Sequence, residues 1–145
     1  MAHVYDILSE KGHDVHTVSP DMSVLEATLE MNRQKCGAVL VMEEDRMVGI
    51  FTERDVLTRV VAEGREPDST RISQVMSRQV LCCPSDTTVL DARGIMRNKR
   101  IRHLPVVGVD GKLVGMISIG DLNAWSLADD EATITYMSEY MYGRG

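Results

Sequence analysis

A hydroxyl and a carboxylate recur at the same spacing in two places in this sequence. Gly49 to Asp55 reads GIFTERD and Gly115 to Asp121 reads GMISIGD, so both stretches fit Gly-x-x-(Thr/Ser)-x-x-Asp. The apolar residues before each hydroxyl predict a strand, and the acid falls three residues into the helix that follows. Free backbone N–H groups favour phosphate at a helix start, and a carboxylate can accept both hydroxyls of a ribose. The pattern is therefore compatible with a polar ligand at these junctions.

The same spacing also fits a capping box, in which the hydroxyl and the acid satisfy the helix's own N–H groups. Thr52 with Asp55, and Ser118 with Asp121, have the residue types that this arrangement requires. The spacing alone leaves both interpretations open.

Composition limits the kinds of partner. The 145 residues are 43% hydrophobic with a formal net charge of -6, which fits one modest core and argues against a nucleic-acid backbone as ligand. One Trp, one Phe and four Tyr are too few for a base-stacking surface. Apolar runs such as Ala38 to Met42 are too short to span a membrane, and MAHVYDILSEKG does not resemble a signal peptide. We expect a soluble, cytoplasmic protein.

Neither an enzyme nor a metal site is indicated by the motifs present. The sequence has no phosphate-binding P-loop, His-Glu-x-x-His or Gly-x-Ser-x-Gly motif, so we expect a non-enzymatic protein without a catalytic cofactor. Cys36, Cys82 and Cys83 have no metal-ligand spacing, and a disulfide between the two adjacent cysteines would be strained. Reduced cysteines that serve packing are expected.

Most of the chain is an internal repeat. Residues 24–27 (VLEA) align with residues 89–92 (VLDA), and the match continues from Met31 and Met96 to the two Gly-x-x-(Thr/Ser)-x-x-Asp stretches. Each copy predicts a strand, a helix with apolar residues at helical spacing, a two-stranded hairpin and a second helix. The predicted strands are 15–18, 38–42 and 47–51 in the first copy and 80–83, 104–107 and 113–117 in the second; the second helices begin near Glu53 and Gly120.

These repeats resemble a tandem pair of cystathionine-β-synthase (CBS) domains, also called a Bateman module. The resemblance rests on the proline turn and Val-x-(Asp/Glu)-Ala in both copies, on Arg102-His103-Leu104-Pro105-Val106, and on the two strand-helix junctions. With TERD in the first repeat and RHLP and SIGD in the second, the chain is similar to short stand-alone members related to inosine-monophosphate dehydrogenase.

The resemblance implies an α/β fold of two β-α-β-β-α repeats packed sheet to sheet about a pseudo-twofold axis. It also implies a homodimer, adenine nucleotides (AMP, ADP or ATP, with NAD as a further candidate) bound as effectors in clefts between repeats, and an unidentified protein that responds. The expected boundaries are an N-terminal segment at 1–14, repeat 1 at 15–62, a linker at 63–78, repeat 2 at 79–128 and a C-terminal segment at 129–145.

The resemblance also assigns candidate binding residues in both repeats. Ribose is expected at Asp121, phosphate at Ser118 with Arg102 and His103, and adenine beside Leu104 and Pro105. The other second-repeat candidates are Cys83, Met116 and Gly120, and those of the first repeat are Thr17, Gly37, Ala38, Thr52, Arg54 and Asp55.

The two copies differ at the strand that precedes the hairpin turn. Arg102 and His103 of the second copy correspond to Gly37 and Ala38 in the first, so a first-repeat site lacks this cationic pair or takes a different ligand, such as a longer dinucleotide. Arg54 fits two roles equally, as a phosphate ligand from the first repeat or as a surface arginine in the first turn of a helix.

The last residues form a predicted amphipathic helix. Ile134, Met137 and Met141 recur at helical spacing, which favours packing on the chain's own module or across a dimer. Recruitment of another protein is the alternative.

Overall fold

The computed structural model describes residues 1–129, which form two compact units. The first-repeat unit comprises Asp14–Leu81, and the second-repeat unit comprises Met1–His13 with the described residues from Cys82 onward. The N-terminal residues therefore fold with the second repeat rather than the first. The predicted amphipathic helix containing Ile134 lies outside the described residues.

The helices and strands follow the predicted order in each repeat, and each repeat also carries an additional short helix. The second-repeat unit contains α1 (Val4–Lys11), β4 (Cys83–Pro84), α5 (Val89–Lys99), β5 (His103–Val107), β6 (Leu113–Ser118) and α6 (Ile119–Asp129). The first-repeat unit contains β1 (Thr17–Val18), α2 (Val24–Gln34), β2 (Ala38–Glu43), β3 (Arg46–Thr52), α3 (Glu53–Asp55) with a π-helical continuation (Val56–Val61), and α4 (Ile72–Val75).

Each unit has a three-stranded mixed sheet. The orders are β1-β2-β3 and β4-β5-β6, in which the first strand runs parallel to the second and the second antiparallel to the third. Ala38 lies opposite Thr52, and His103 opposite Ser118, at matching positions of the two hairpins. The mixed α/β class that the sequence predicts is confirmed.

The caps of α2 and α5 explain why both helices form where the sequence predicts them. The hydroxyl of Ser23 accepts a hydrogen bond from Glu26 N, and that of Thr88 accepts one from Asp91 N. Both helices end in a residue with left-handed backbone, Lys35 with φ 55° and Arg100 with φ 54°. Arg100 is thus the C-cap of α5 rather than a member of its last turn.

The first strand of each sheet is shorter than the sequence predicts. At β1, Leu40 N donates to His16 O at 3.1 Å, and Thr17 lies opposite Leu40. Pro105 occupies the matching position of β5 and has no N–H to donate, so pairing with β4 begins only where Cys83 meets Val106.

Two helices missed by the sequence analysis, α1 and α4, pack against a strand glycine of their own unit. Val4, Ile7 and Leu8 of α1 are all buried, and such burial contributes about 1.5–3 kcal/mol per large apolar side chain. A Cβ atom on Gly115 of β6 would lie 2.7 Å from Leu8 Cδ2, and one on Gly49 of β3 would lie 2.6 Å from Met76 Sδ. The glycine of each Gly-x-x-(Thr/Ser)-x-x-Asp stretch therefore makes room for the additional helical segment of its own unit, α1 at Gly115 and α4 with Met76 at Gly49.

Replacing this glycine should loosen the helix from the sheet. We expect Gly115→Ala to lower the free energy of unfolding by about 1–3 kcal/mol, measured by urea denaturation, because the added methyl group overlaps Leu8. Gly94→Ala in α5 is the control, since a Cβ there meets nothing within 4 Å and alanine favours helix. An unchanged stability of Gly115→Ala would contradict the close packing.

Candidate nucleotide-binding site

The β6–α6 junction carries the second hydroxyl–carboxylate pair. Ser118 N donates to Asp121 Oδ2 at 2.8 Å, and Asp121 N donates to Ser118 Oγ at 3.1 Å. This is the reciprocal geometry of a capping box, so the structural interpretation of the motif is realised here. The geometry occupies one carboxylate oxygen and leaves the side chain of Asp121 24% exposed. Capping and contact with a ligand are thus compatible at this residue.

Lys11, the last residue of α1, reaches the same carboxylate. Its Nζ lies 2.6 Å from Asp121 Oδ2 and 2.7 Å from Met116 O on the edge strand β6. Burial raises the pKa of Asp121, but the hydrogen bonds from Lys11 and Ser118 outweigh it and hold the pKa below the usual value of the carboxyl. The carboxylate is therefore ionised at neutral pH, as a ribose acceptor must be.

The strand β5 brings further candidates to this junction. His103 lies opposite Ser118 and Pro105 opposite Met116, while Arg102 O accepts a hydrogen bond from Ile119 N at 2.9 Å. The Arg102 residue is exposed and His103 is half-buried. Two of the predicted phosphate ligands are therefore placed at the start of α6.

Three other second-repeat candidates have different surroundings. Leu104 and Cys83 are buried members of the unit's hydrophobic core, so their side chains serve packing. Gly120 lies in the first turn of α6, where an added Cβ would lie at an ordinary 3.5 Å from Ser118 Oγ. Leu104 and Cys83 would meet a ligand through their backbone.

In the first-repeat unit the matching pair also forms a capping box. Thr52 N and Thr52 Oγ1 donate to Asp55 Oδ2 at 3.0 and 3.3 Å, and Asp55 N donates back to Thr52 Oγ1 at 3.3 Å. The other oxygen, Oδ1, accepts from Ser77 Oγ at 3.4 Å and lies 3.5 Å from Arg59 Nε. Asp55 is only 6% exposed. Both of its oxygens are thus engaged inside the unit.

The remaining first-repeat candidates surround this closed junction. Gly37 O accepts a hydrogen bond from Glu53 N at 3.0 Å, and Ala38, which lies opposite Thr52, is 1% exposed. Arg54 is exposed in the first turn of α3, and Thr17 is exposed on β1.

Three residues that contact the two carboxylates were not predicted from the sequence: Lys11, Arg59 and Ser77. A signal for the segments that carry Lys11 and Ser77 was present, because HVYDILS from His3 to Ser9 parallels RISQVMS from Arg71 to Ser77. The first residues of the two segments are bridged in equivalent ways, His3 to Thr88 and Arg71 to Ser23. Extending the repeat upstream would have placed both preceding segments on the junctions.

The three cysteines are reduced in the structure. Burial raises the pKa of Cys36, Cys82 and Cys83, so their thiols are protonated at neutral pH. Across residues 1–129, no group of three or more His, Cys, Asp and Glu side chains is arranged to hold a metal ion. Within the same range, no helix combines the length and the apolar character needed to cross a membrane.

The CBS-domain family model matches residues 4–62 and 72–127, so the chain belongs to the CBS-domain family and carries a tandem pair of these domains. The matched ranges include α1 and α4. The resemblance inferred from the sequence is confirmed.

The chain is similar to a named CBS-domain protein and to two proteins without an assigned function. The CBS domain-containing protein YhcV of Bacillus subtilis is 34% identical over 118 residues, which cover 81% of this chain and 83% of YhcV. Uncharacterized proteins of Methanopyrus kandleri and Acidianus ambivalens are 36% and 39% identical over 75% and 74% of this chain, and the matches span 56% and 65% of their lengths.

Solved structures share the fold. The CBS-domain containing protein ATU1752 from Agrobacterium tumefaciens is 38% identical with a TM-score of 0.82, covering 86% of this chain and 99% of the other. The CBS domain pair of protein MJ0100, in complex with 5'-methylthioadenosine and S-adenosyl-L-methionine, is 23% identical with a TM-score of 0.75 over 86% of this chain and 98% of the other.

The lowered pKa of Asp121 predicts how its contribution to stability depends on pH. A carboxylate with a lowered pKa in the folded state stabilises above its unfolded pKa, about 3.9, and the contribution disappears as pH falls through the folded value. We expect Asp121→Asn to lower the free energy of unfolding by about 1 kcal/mol near pH 7 and by progressively less below about pH 4.

Urea denaturation of the ligand-free protein at several pH values measures this difference. Asp86→Asn is the control, because Asp86 is an exposed aspartate of the same unit. A stability difference between wild type and Asp121→Asn that persists unchanged to pH 2.5 would contradict the assignment.

Proposed function

We propose that this protein is a regulatory module that binds an adenine nucleotide (AMP, ADP or ATP, with NAD as a further candidate) and acts as an energy or metabolite sensor without catalysing a reaction. The observation that carries the proposal is the carboxylate of Asp121. It is ionised, partly exposed and held beside the hydroxyl of Ser118 at the start of α6. An ionised acceptor of this kind is suited to the paired hydroxyls of a ribose.

Two further side chains near this junction contribute to the proposed recognition. Arg102 and His103 enter β5 beside Ser118, and α6 begins directly after that serine. Arginine pairs with phosphate through two parallel hydrogen bonds, and a helix start favours negative charge. A 5'-phosphate attached to a ribose on Asp121 would meet these groups.

The comparison with MJ0100 supports the ligand class. Both compounds in that complex contain adenosine, with its paired ribose hydroxyls, and neither carries a phosphate. Adenosine recognition is therefore compatible with this fold, and the phosphate preference proposed here rests on Arg102, His103 and Ser118 of this chain.

We assign the nucleotide to the second-repeat unit. Asp55 of the first repeat is 6% exposed, and its two oxygens already serve Thr52, Ser77 and Arg59. Breaking this network to admit a ribose would leave buried polar groups without partners, which costs about 1–3 kcal/mol per group. One nucleotide per chain is the expected stoichiometry.

Homodimer formation is part of the proposal. The first-repeat unit exposes four large apolar side chains on its helices: Leu25, Leu29, Leu57 and Val61 are 42%, 60%, 64% and 66% exposed. These side chains offer exposed apolar area that self-association would remove from water. A dimeric scaffold that binds no ligand is the alternative function, and it shares this surface.

A phosphate should strengthen binding. We expect AMP to bind at least tenfold more tightly than adenosine in isothermal titration calorimetry, because a charge-assisted hydrogen bond contributes about 1.5–3 kcal/mol. Equal affinities would remove the phosphate role of Arg102 and His103.

The two aspartates should separate ligand binding from structure. We expect Asp121→Ala to weaken AMP binding by about thirtyfold or more, since two hydrogen bonds from the ribose to a charged group are lost. Asp55→Ala should leave AMP affinity nearly unchanged and lower the free energy of unfolding more than Asp121→Ala does, because it leaves the partners of a buried carboxylate unpaired.

Calorimetry gives the AMP affinity of each variant, and urea denaturation without ligand gives the free energy of unfolding of each. Normal AMP affinity in a destabilised Asp121→Ala variant would reduce this residue to a helix cap.

The oligomeric state is tested by sedimentation equilibrium at micromolar concentration. We expect twice the chain mass, because the exposed leucines and valine of the first-repeat unit favour self-association. A monomer throughout that range would contradict the dimer. If the dimer shows no thermal stabilisation by AMP, ATP, NAD or S-adenosylmethionine, the scaffold is the better description.

A further inference from the structure

At the two strand-helix junctions, different groups contact the carboxylate and the adjacent edge strand. In the first-repeat unit, Ser77 pairs with the edge strand β3 through reciprocal backbone bonds to Ile50, both 2.9 Å, and donates its hydroxyl to Asp55. In the second-repeat unit, the ammonium group of Lys11 makes both contacts, to Met116 O and to Asp121. A backbone pairing is replaced by the end of a long side chain.

Because of this difference, the Lys11 contact with Asp121 can be released more easily than the Ser77 contact with Asp55. Withdrawing Ser77 would break two backbone hydrogen bonds of the sheet edge, and Asp55 would keep Arg59 as a further partner. The side chain of Lys11 is 35% exposed, so its ammonium group can turn into water by rotating about side-chain bonds. The lysine can therefore leave while α1 stays packed through Val4, Ile7 and Leu8.

The occupancy of Asp121 Oδ2 shows why the lysine must leave. Each carboxylate oxygen has two lone pairs, and Oδ2 already accepts from Ser118 N and from Lys11 Nζ. A ribose that binds a carboxylate through both hydroxyls needs a place on each oxygen. Ser118 N belongs to the helix cap, so Lys11 is the donor that can give way.

We propose that Lys11 is a built-in competitor for the carboxylate of Asp121, which a ribose displaces when both of its hydroxyls bind there. This inference rests on the nucleotide function proposed above, and it makes Lys11 a residue that sets affinity for the sugar. The displaced contact lies at the end of α1 and belongs to the second-repeat unit alone.

The test compares adenosine with 2',3'-dideoxyadenosine, which lacks both hydroxyls, by calorimetry on wild type and Lys11→Met. We expect the substitution to tighten adenosine binding by roughly five- to thirtyfold, the range for one partly exposed charge-assisted hydrogen bond. The dideoxy compound should change by less than about twofold, since it does not compete for the carboxylate.

Two control variants accompany the measurement. Lys112→Met removes the same charge from an exposed position of the same unit and should leave both affinities unchanged. Lys11→Arg keeps a cation that can hold the carboxylate and should restore the wild-type affinity for adenosine.

The outcomes separate this inference from the proposed function. Equal gains for both compounds, or no gain for adenosine while it still binds, would overturn the competition and leave nucleotide binding intact. If neither wild type nor Lys11→Met binds any adenine compound, the competition and the proposed function both fall.

Discussion

A carboxylate that folds back onto the end of its own strand, once in each repeat, is the interaction on which the structure depends. The carboxylates of Asp55 and Asp121 each accept a hydrogen bond from the backbone N–H of the residue three positions earlier. The backbone N–H of each aspartate in turn donates to the hydroxyl of that earlier residue. This reciprocal cap fixes the angle at which the helix leaves the sheet. Every group proposed to recognise a ligand is placed relative to that turn.

The residues that surround this turn differ between the two units. Around Asp55, a serine, an arginine and a threonine satisfy the carboxylate within the unit, and the result is a closed structural joint. Around Asp121, Lys11 is a further partner, and the carboxylate stays partly exposed. Under the proposed function, one copy of the repeated fold serves as support and the other binds the ligand, without any change in the motif itself.

The sequence predicted the elements whose causes are local. Helices α2 and α5 each have a capping hydroxyl directly before an eleven-residue segment with an apolar face, and the hairpins consist of short apolar strands joined by short turns. The position of α1 has no local cause, because Leu8 finds its partner at Gly115, on the other side of an entire repeat. The π-helical stretch that brings Arg59 to Asp55 also depends on tertiary contacts, with Val60 in the core and Arg59 donating to Met76 O.

In the candidate site too, some residues could be predicted from local sequence, and others depend on tertiary contacts. The motif identified Ser118 and Asp121, and the family resemblance added Arg102 and His103, all of which lie at one junction. Lys11 escaped because the residues around it have the composition of an ordinary amphipathic helix, and only the fold reveals where its ammonium group ends. The contrast between Asp55 and Asp121 could not be read from the sequence either, since it depends on which residues arrive from distant segments.

The claim that only one of the two copies binds nucleotide is tested most directly by the number of AMP molecules bound at saturation. Equilibrium dialysis with radiolabelled AMP, against a chain concentration determined by amino-acid analysis, measures this number without any substitution. We expect one AMP per chain, because a ribose can replace Lys11 at Asp121, whereas the carboxylate of Asp55 is buried and hydrogen-bonded within its own unit. Two AMP molecules per chain would contradict it.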